Sequence, residues 1–244
     1  MKRAYADLHL CPDLRNPEQT LRMIRKAAEL GYHSVAITLP TNAAENQIDQ
    51  LRSIGEDAKI DVATRADLRP RTPGELLDNL RKMRRRFEVI AVACESKNVA
   101  RQAAKDRRVD LLNFPSADYR QRFFDSAEAE LAAGSLAAFE IDARQLLTHE
   151  GPARVRLLSS LRRETTTALG FRVPIVLSSG ASDALLMRKP TGVIALASLF
   201  DLDKNRATEA ISTNPLTIVK RNREKLSSRF VAPGIRVIRR GEDC

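Results

Sequence analysis

Residues 5 to 13 read YADLHLCPD, a stretch that sets Asp7, His9 and Cys11 at alternate positions. Alternate residues of an extended strand share one face, so Tyr5, Asp7, His9 and Cys11 are expected to point one way and Ala6, Leu8 and Leu10 the other. A carboxylate and an imidazole side by side at a strand end can ligate a divalent ion, and such an ion can activate water against a phosphodiester. A catalytic ion also needs ligands from further strands, and the chain holds only three histidines, His9, His33 and His149. His33 precedes the expected second strand, at the end away from the first strand's motif, and His149 falls in a loop after the sixth. The competing reading of Asp7 and His9 is a buried, hydrogen-bonded pair. Neither a Ser-His-Asp set nor a Walker-type phosphate loop is present in the sequence.

The elements that must position these residues follow from hydrophobic patterning. Short β-rich apolar runs at 3–10, 33–39, 59–65, 87–94, 109–114, 137–142 and 173–179 alternate with helical patterns such as 17–30, 73–86 and 151–169. Such a strand-helix rhythm predicts a parallel sheet with helices outside, and seven or eight units without a Gly-rich dinucleotide turn favour a closed β/α barrel of the TIM-like kind. After the seventh run the pattern changes to consecutive helices at 189–202, 203–212 and 214–226, with Pro190 and Pro215 where helices begin. An eighth strand at 191–197 is the less favoured alternative. The expected organisation is one barrel domain over 1–229 with extra C-terminal helices, then a basic, extended or loosely ordered tail over 230–244.

Composition narrows the partner. The 244 residues carry 41 Lys and Arg against 31 Asp and Glu, a net charge of +10, which favours a polyanion such as nucleic acid. Aromatic residues are 5% with no Trp, so contacts to phosphate and shape are expected in place of stacked bases. Cys11, Cys94 and Cys244 are too few and too widely spaced for a disulfide framework and read as free thiols. No apolar run of about 18 residues and no leader pattern is present, so a cytoplasmic protein without membrane contact is expected.

The positive charge is concentrated. Between Arg69 and Arg108 there are 12 Lys and Arg against five acids. In the helix at 73–86, Leu76, Leu77, Leu80 and Met83 form the core stripe and leave Arg81, Lys82, Arg84, Arg85 and Arg86 mostly outside it. In the next helix Lys97, Arg101, Lys105 and Arg108 recur on one face. With Arg69, these form one expected nucleic-acid-binding patch on neighbouring helices. Around SSGASDA (178–184), backbone N–H groups could receive an anion with Arg188 and Lys189 close behind, or Ser182 or Asp183 could simply cap a helix. By contrast, 118–150 holds seven acids against three Arg and is the expected protein-facing surface, turned away from nucleic acid.

Several of these pieces occur in an order that resembles a known family. YADLHL in the first strand, GYHSVAIT (31–38), AAKDRRVDLLNFP (103–115), FEIDARQLL (139–147), VLSSGAS (176–182) and ISTNPLTIVKRN (211–222) are similar to the archaeal and eukaryotic ribonuclease P protein component 3 family. That family supplies a barrel subunit of the enzyme that trims tRNA 5′ leaders. The fold also resembles the polymerase-and-histidinol-phosphatase (PHP) superfamily of metal-dependent phosphoesterases, in which the second strand typically ends Thr-Asp-His. Here it ends ITLP (37–40), and Cys11 stands where the first strand would carry a second His. The resemblance implies a PHP-like barrel without a metal or catalytic residue of its own, in a complex catalysed by its RNA. It further implies RNase P RNA, precursor tRNA, a small ferredoxin-like subunit and other RNase P proteins as partners, with Mg2+ serving the RNA. The alternative is a metal-dependent PHP-type phosphoesterase using Asp7 and His9.

Overall fold

The computed structural model describes residues 3–232 and 235–236. Seven strands pair in parallel in chain order: β1 (Ala6–Leu10), β2 (Ser34–Thr38), β3 (Asp61–Leu68), β4 (Val89–Ala93), β5 (Leu111–Asn113), β6 (Ala138–Asp142) and β7 (Ile175–Ser178). The crossovers carry α1 (Pro17–Leu30), α2 (Glu45–Asp57), α3 (Pro73–Met83), α4 (Lys97–Lys105), α5 (Ser126–Ser135), α6 (Ala143–Thr148) and α7 (Gly151–Gly170). Local chemistry starts these helices. Asn16, Thr72, Ser96 and Asp125 accept hydrogen bonds from the backbone N–H three residues on, and Pro17 and Pro73 occupy first-turn positions whose N–H would be unused.

The sheet comes round to meet itself just beyond β7. Ala181 bridges Leu10 in parallel, and Cys11 N–H donates to the Ala181 carbonyl at 2.8 Å. The turn that allows this needs glycine. Gly180 has φ of +61°, and a Cβ there would stand 3.1–3.2 Å from the Asp142 side chain. Three more helices follow, α8 (Pro190–Ala197), α9 (Lys204–Ala210) and α10 (Thr213–Leu226), then a short antiparallel pair, β8 (Phe230–Ala232) and β9 (Ile235–Arg236). Residues 191–197 are therefore helical and supply no eighth strand. The rest of the expected tail, 233–234 and 237–244, lies outside the described residues. Among the described residues no helix is long and apolar enough to cross a membrane.

Two apolar layers result. The outer layer lies between strands and helices; the inner one gathers Ala6, Leu8, Ala36, Ala63, Val89, Ala91, Leu111, Ala138 and Val176 with Ile218 and Val219 of α10. Small side chains in the lumen leave room for α10 to cover the end where the strands begin. Polar bonds fasten it there: Asn222 donates to the Glu88 carbonyl at 2.7 Å, Arg223 to the Glu88 carboxylate at 2.6 Å and Arg221 to Asp110 at 2.9 Å. That end is closed, and the opposite end, where the strands finish, remains the mouth.

Removing the apolar plug should be costly, because a cavity would open in the lumen. Ile218→Ala is expected to lower stability by about 2–5 kcal/mol, measured as a shift of the urea midpoint; an unmoved midpoint would show that α10 does not support the lumen.

Candidate functional site

At the mouth, the first strand departs from simple alternation. Asp7 pairs with Val35 and Leu10 with Ile37, so Leu8 and His9 together oppose the single residue Ala36. This β-bulge puts one extra residue into the strand and changes which face the following side chains take. Leu8 joins the apolar lumen while His9 reaches the mouth between Asp67 and Asp142. Asp7 goes elsewhere. Its Oδ1 accepts from Ser179 N–H at 2.9 Å and His9 N–H at 3.1 Å, tying β1 to the chain beyond β7. The expectation that Asp7 and His9 form one polar face is thereby corrected, and the bulge is the reason. Burial pushes the Asp7 carboxyl above its usual range, and its Oδ2 is buried without a hydrogen-bond partner.

The centre of the mouth is Arg65, which is 0% exposed. Its Nε donates to Asp67 Oδ1 at 2.7 Å, Nη2 to Glu140 Oε2 at 2.7 Å, and Nη1 to Glu140 Oε1 at 2.5 Å and to the Leu8 carbonyl at 2.8 Å. Planar guanidinium geometry suits this forked grip on a carboxylate. Ser178 hydroxyl donates to Glu140 at 2.7 Å, and Asn113 amide donates to both Glu140 at 3.0 Å and Asp142 at 2.9 Å. His9 Nδ1 lies 2.7 Å from Asp142 and Nε2 lies 3.1 Å from Asp67. Burial and the nearby Arg65 each pull the His9 pKa down, but Asp142 and Asp67 together outweigh them and hold it well above the usual value. Burial alone would raise Asp67; Arg65 and His9 reverse that and hold it well below the carboxylate range. Asp142, opposed by burial, is likewise held low by His9 and Arg65.

Two donor groups have ligand atoms within 4.8 Å of one another, His9 with Cys11 and Asp67, and His9 with Glu140 and Asp142. They do not suit a resident divalent ion. Asp67 and Glu140 are already bridged by the guanidinium of Arg65, and both nitrogens of His9 already face carboxylates. An ion would have to displace the imidazole proton and sit beside a fixed positive charge. Above this floor is a cavity of about 360 Å³ rimmed by Cys11, Arg69, Arg144, His149, Ser182 and Leu186. His149 reaches it because α6 is short; its Nδ1 lies 2.7 Å from the Gln145 carbonyl.

The expected basic patch divides into two kinds of residue. Helices α3 and α4 are neighbours; Lys82, Lys97 and Lys105 stand exposed on them, and Arg85 in the turn after α3. Arg69 and Arg81 are also exposed, each beside one acid, Glu95 and Asp78. Arg86 is exposed, with its guanidinium donating to the carbonyls of Thr41 and Ala43. Arg84 and Arg101 serve inside the fold, contrary to their expected place as surplus surface charge. Arg84 donates to Asp110 at 2.5 Å and to the Phe87 and Glu88 carbonyls at 2.6 and 3.0 Å. Arg101 grips both oxygens of Asp125 at 2.7 Å and reaches Glu128 at 2.9 Å. Even so, burial pushes the Glu128 carboxyl up to about 7. Arg108 is bound to Asp106 at 2.6 Å.

The other two expectations change similarly. Two N–H groups of SSGASDA and the one that follows it are already taken: Ser179 N–H by Asp7, Ala181 N–H by the Ser179 hydroxyl, and Leu185 N–H by Asp183. Asp183 caps the 3-10 turn Ala184–Leu186, Arg188 donates to the Leu185 and Met187 carbonyls, and Lys189 stands exposed. The acidic stretch 118–150 is not one surface, because Glu128, Glu140 and Asp142 are buried. Sequence reasoning overlooked Arg65, Asp67, Asn113, Glu140 and Asp142 as one network. The signal was there in two paired spacings, Arg65-x-Asp67 and Glu140-x-Asp142, each toward the C-terminal end of a strand.

The chain is thus a parallel β/α barrel protein, closed at one end by a helix and floored at its mouth by internal ion pairs. The family model of RNase P subunit p30 matches residues 4–227. Ribonuclease P protein component 3 of Methanosarcina barkeri is 34% identical over 96% of this chain and 95% of its own length. That of Methanosarcina mazei is 31% identical over 97% and 95%. The chain belongs to the RNase P subunit p30 family. Its fold is similar to that of a chain in the cryo-EM structure of archaeal ribonuclease P with mature tRNA, with a TM-score of 0.84 at 19% identity, covering 97% of this chain and 100% of that one.

Removing Arg65 would leave the buried Glu140 and the half-buried Asp67 without their cation. Arg65→Met is expected to cost about 3–5 kcal/mol in denaturant unfolding near pH 7, and wild-type stability in that variant would contradict the assigned role.

Proposed function

We propose that the chain is an RNA-binding protein subunit of ribonuclease P that supports RNA-catalysed removal of 5′ leaders from precursor tRNA and contributes no catalytic residue. Membership of the RNase P subunit p30 family over residues 4–227 is the observation that carries this reading. The mouth agrees with it in chemical terms. A hydrolytic centre needs carboxylates and imidazoles open to an ion or a water, and here they are engaged by Arg65 and by one another. The PHP-type phosphoesterase alternative is not favoured, since the Asp7 carboxylate accepts from backbone N–H groups at the seam between β1 and β7, while the His9 imidazole faces Asp142 and Asp67.

In this role the chain works in the cytoplasm beside RNase P RNA, precursor tRNA, a small ferredoxin-like subunit and other RNase P proteins. Mg2+ serves the RNA, and the chain binds no cofactor. The exposed cations Lys82, Arg85, Lys97 and Lys105, flanked by Arg69, Arg81, Arg86 and Lys189, meet phosphate. Arg84, Arg101, Arg108 and Arg188 hold the backbone and acids beneath them. Binding of this kind is read in its salt dependence, because each neutralised phosphate releases counterions.

The purified chain alone is expected to leave precursor tRNA uncut and to raise its cleavage when combined with RNase P RNA and the other protein subunits. Replacing Lys82, Arg85, Lys97 and Lys105 together with Ala should weaken RNA binding and flatten its log-log salt slope by roughly 0.7–0.9 for each phosphate that is no longer neutralised. Metal-dependent cleavage by the chain alone, abolished in His9→Ala, would overturn the proposal.

A further inference from the structure

The closed end of the barrel carries charge that fastening α10 does not explain. Asp110, 1% exposed, sits just before β5 at this end. Its Oδ2 accepts from Arg84 at 2.5 Å and Ile90 N–H at 2.9 Å, and its Oδ1 from Arg221 at 2.9 Å and Asn222 at 2.8 Å. One carboxylate thus holds two guanidinium groups and two neutral donors. The Nε of Arg221 is buried there with no hydrogen-bond partner.

Two more cations stand at the same place. Arg107, in the loop before β5, and Lys225, on the last turn of α10, are both exposed. Lys225 stands one helical turn beyond Arg221 on α10 and Arg107 three residues before Asp110, and the like charges of Arg221, Arg84 and Arg107 act on Lys225. Burial first, and then those three like charges against the pull of Asp110, lower its pKa from the ordinary lysine value. Arg84 and Arg221 have a structural purpose, since they bind α10 and the β4 and β5 loops to one acid. Arg107 and Lys225 add positive charge to that lock without strengthening it. Crowded cations partly removed from water gain most from an anion that neutralises several at once. The exposed Arg85 follows Arg84 in the turn after α3.

We infer that the closed end of the barrel, at Arg84, Arg107, Arg221 and Lys225, is a phosphodiester-binding site for RNA. The inference rests on the RNA-subunit reading above and adds to it a second surface, formed by α10 and the loops that lead into β4 and β5. Two neighbouring backbone phosphates would face Arg107 and Lys225, with Arg221 and Arg84 behind them. The mouth at the opposite end takes no part.

The test uses the full chain with RNase P RNA and the other protein subunits. An amine-reactive label read by mass spectrometry should modify Lys225 readily in the free chain and several-fold less in the RNA complex. The double variant Arg107→Ala with Lys225→Ala leaves Asp110 and both its arginines in place. It should keep its urea midpoint, lose roughly tenfold or more in RNA affinity, and reduce the log-log salt slope by about 2, near one for each phosphate-facing cation. Equal labelling of Lys225 with and without RNA, or wild-type affinity and slope in the double variant, would overturn the site. Protection of Lys225 by the protein subunits without RNA would assign the face to a protein contact and overturn it equally. Failure of the wild-type chain to bind the RNA at all would remove the RNA-subunit reading, a result distinct from a wild type that binds and a variant that binds as well.

Discussion

A guanidinium with no exposure to water, lodged inside the strand ring, must be matched by acids in place, and the mouth of this barrel is arranged around that requirement. Arg65 on β3 reaches the backbone of β1 and the carboxylate of β6, while its neighbour Asp67 reaches back to His9 on β1. Ser178 on β7 and Asn113 on β5 complete the set of donors to Glu140. Strands far apart in the sequence are thereby held at fixed distances, and each of the buried acids Glu140 and Asp142 has several donors. Removing one member exposes the others to the full cost of burying an unmatched charge, which makes the network a condition for the fold.

Proton binding follows from the same arrangement. His9 carries a folded pKa raised above 6.5 because Asp142 and Asp67 outweigh burial and Arg65. Its contribution to stability is fully present below the unfolded value and is lost as pH rises through the higher folded value. Asp67 behaves in the opposite sense: its folded pKa is depressed, so its contribution is present above 3.8 and is lost as pH falls. Between those limits the mouth is stabilised by ionised partners on both sides. The closed end shows a different balance, with Asp110 facing more positive charge than it neutralises.

Much of the architecture was legible in the chain. Seven apolar runs with helical patterns between them gave the strand order, and Pro190 and Pro215 marked two of the late helices. The site was less so. Alternation along β1 fails at Leu8 and His9 because a bulge needs only one extra residue, and no Gly or Pro marks the position. Counting charge along the chain treated Arg84, Arg101, Glu128 and Asp142 as surface, although each has its partners inside the fold. Charge counts ignore direction, and direction is set by the barrel. The Arg65-x-Asp67 and Glu140-x-Asp142 spacings were visible, but only closure of the sheet brings β3 and β6 to the same lumen.

At the mouth the guanidinium of Arg65 and a protonated imidazole of His9 balance the carboxylates. Nitrogen NMR of the imidazole of His9 across a pH titration, repeated with added Zn2+ or Mn2+, tests this balance most directly. Imidazolium signals should persist well above pH 6.5 and stay unchanged when the metal is added. A neutral ring at pH 7, or signals that shift stoichiometrically on metal addition, would contradict it.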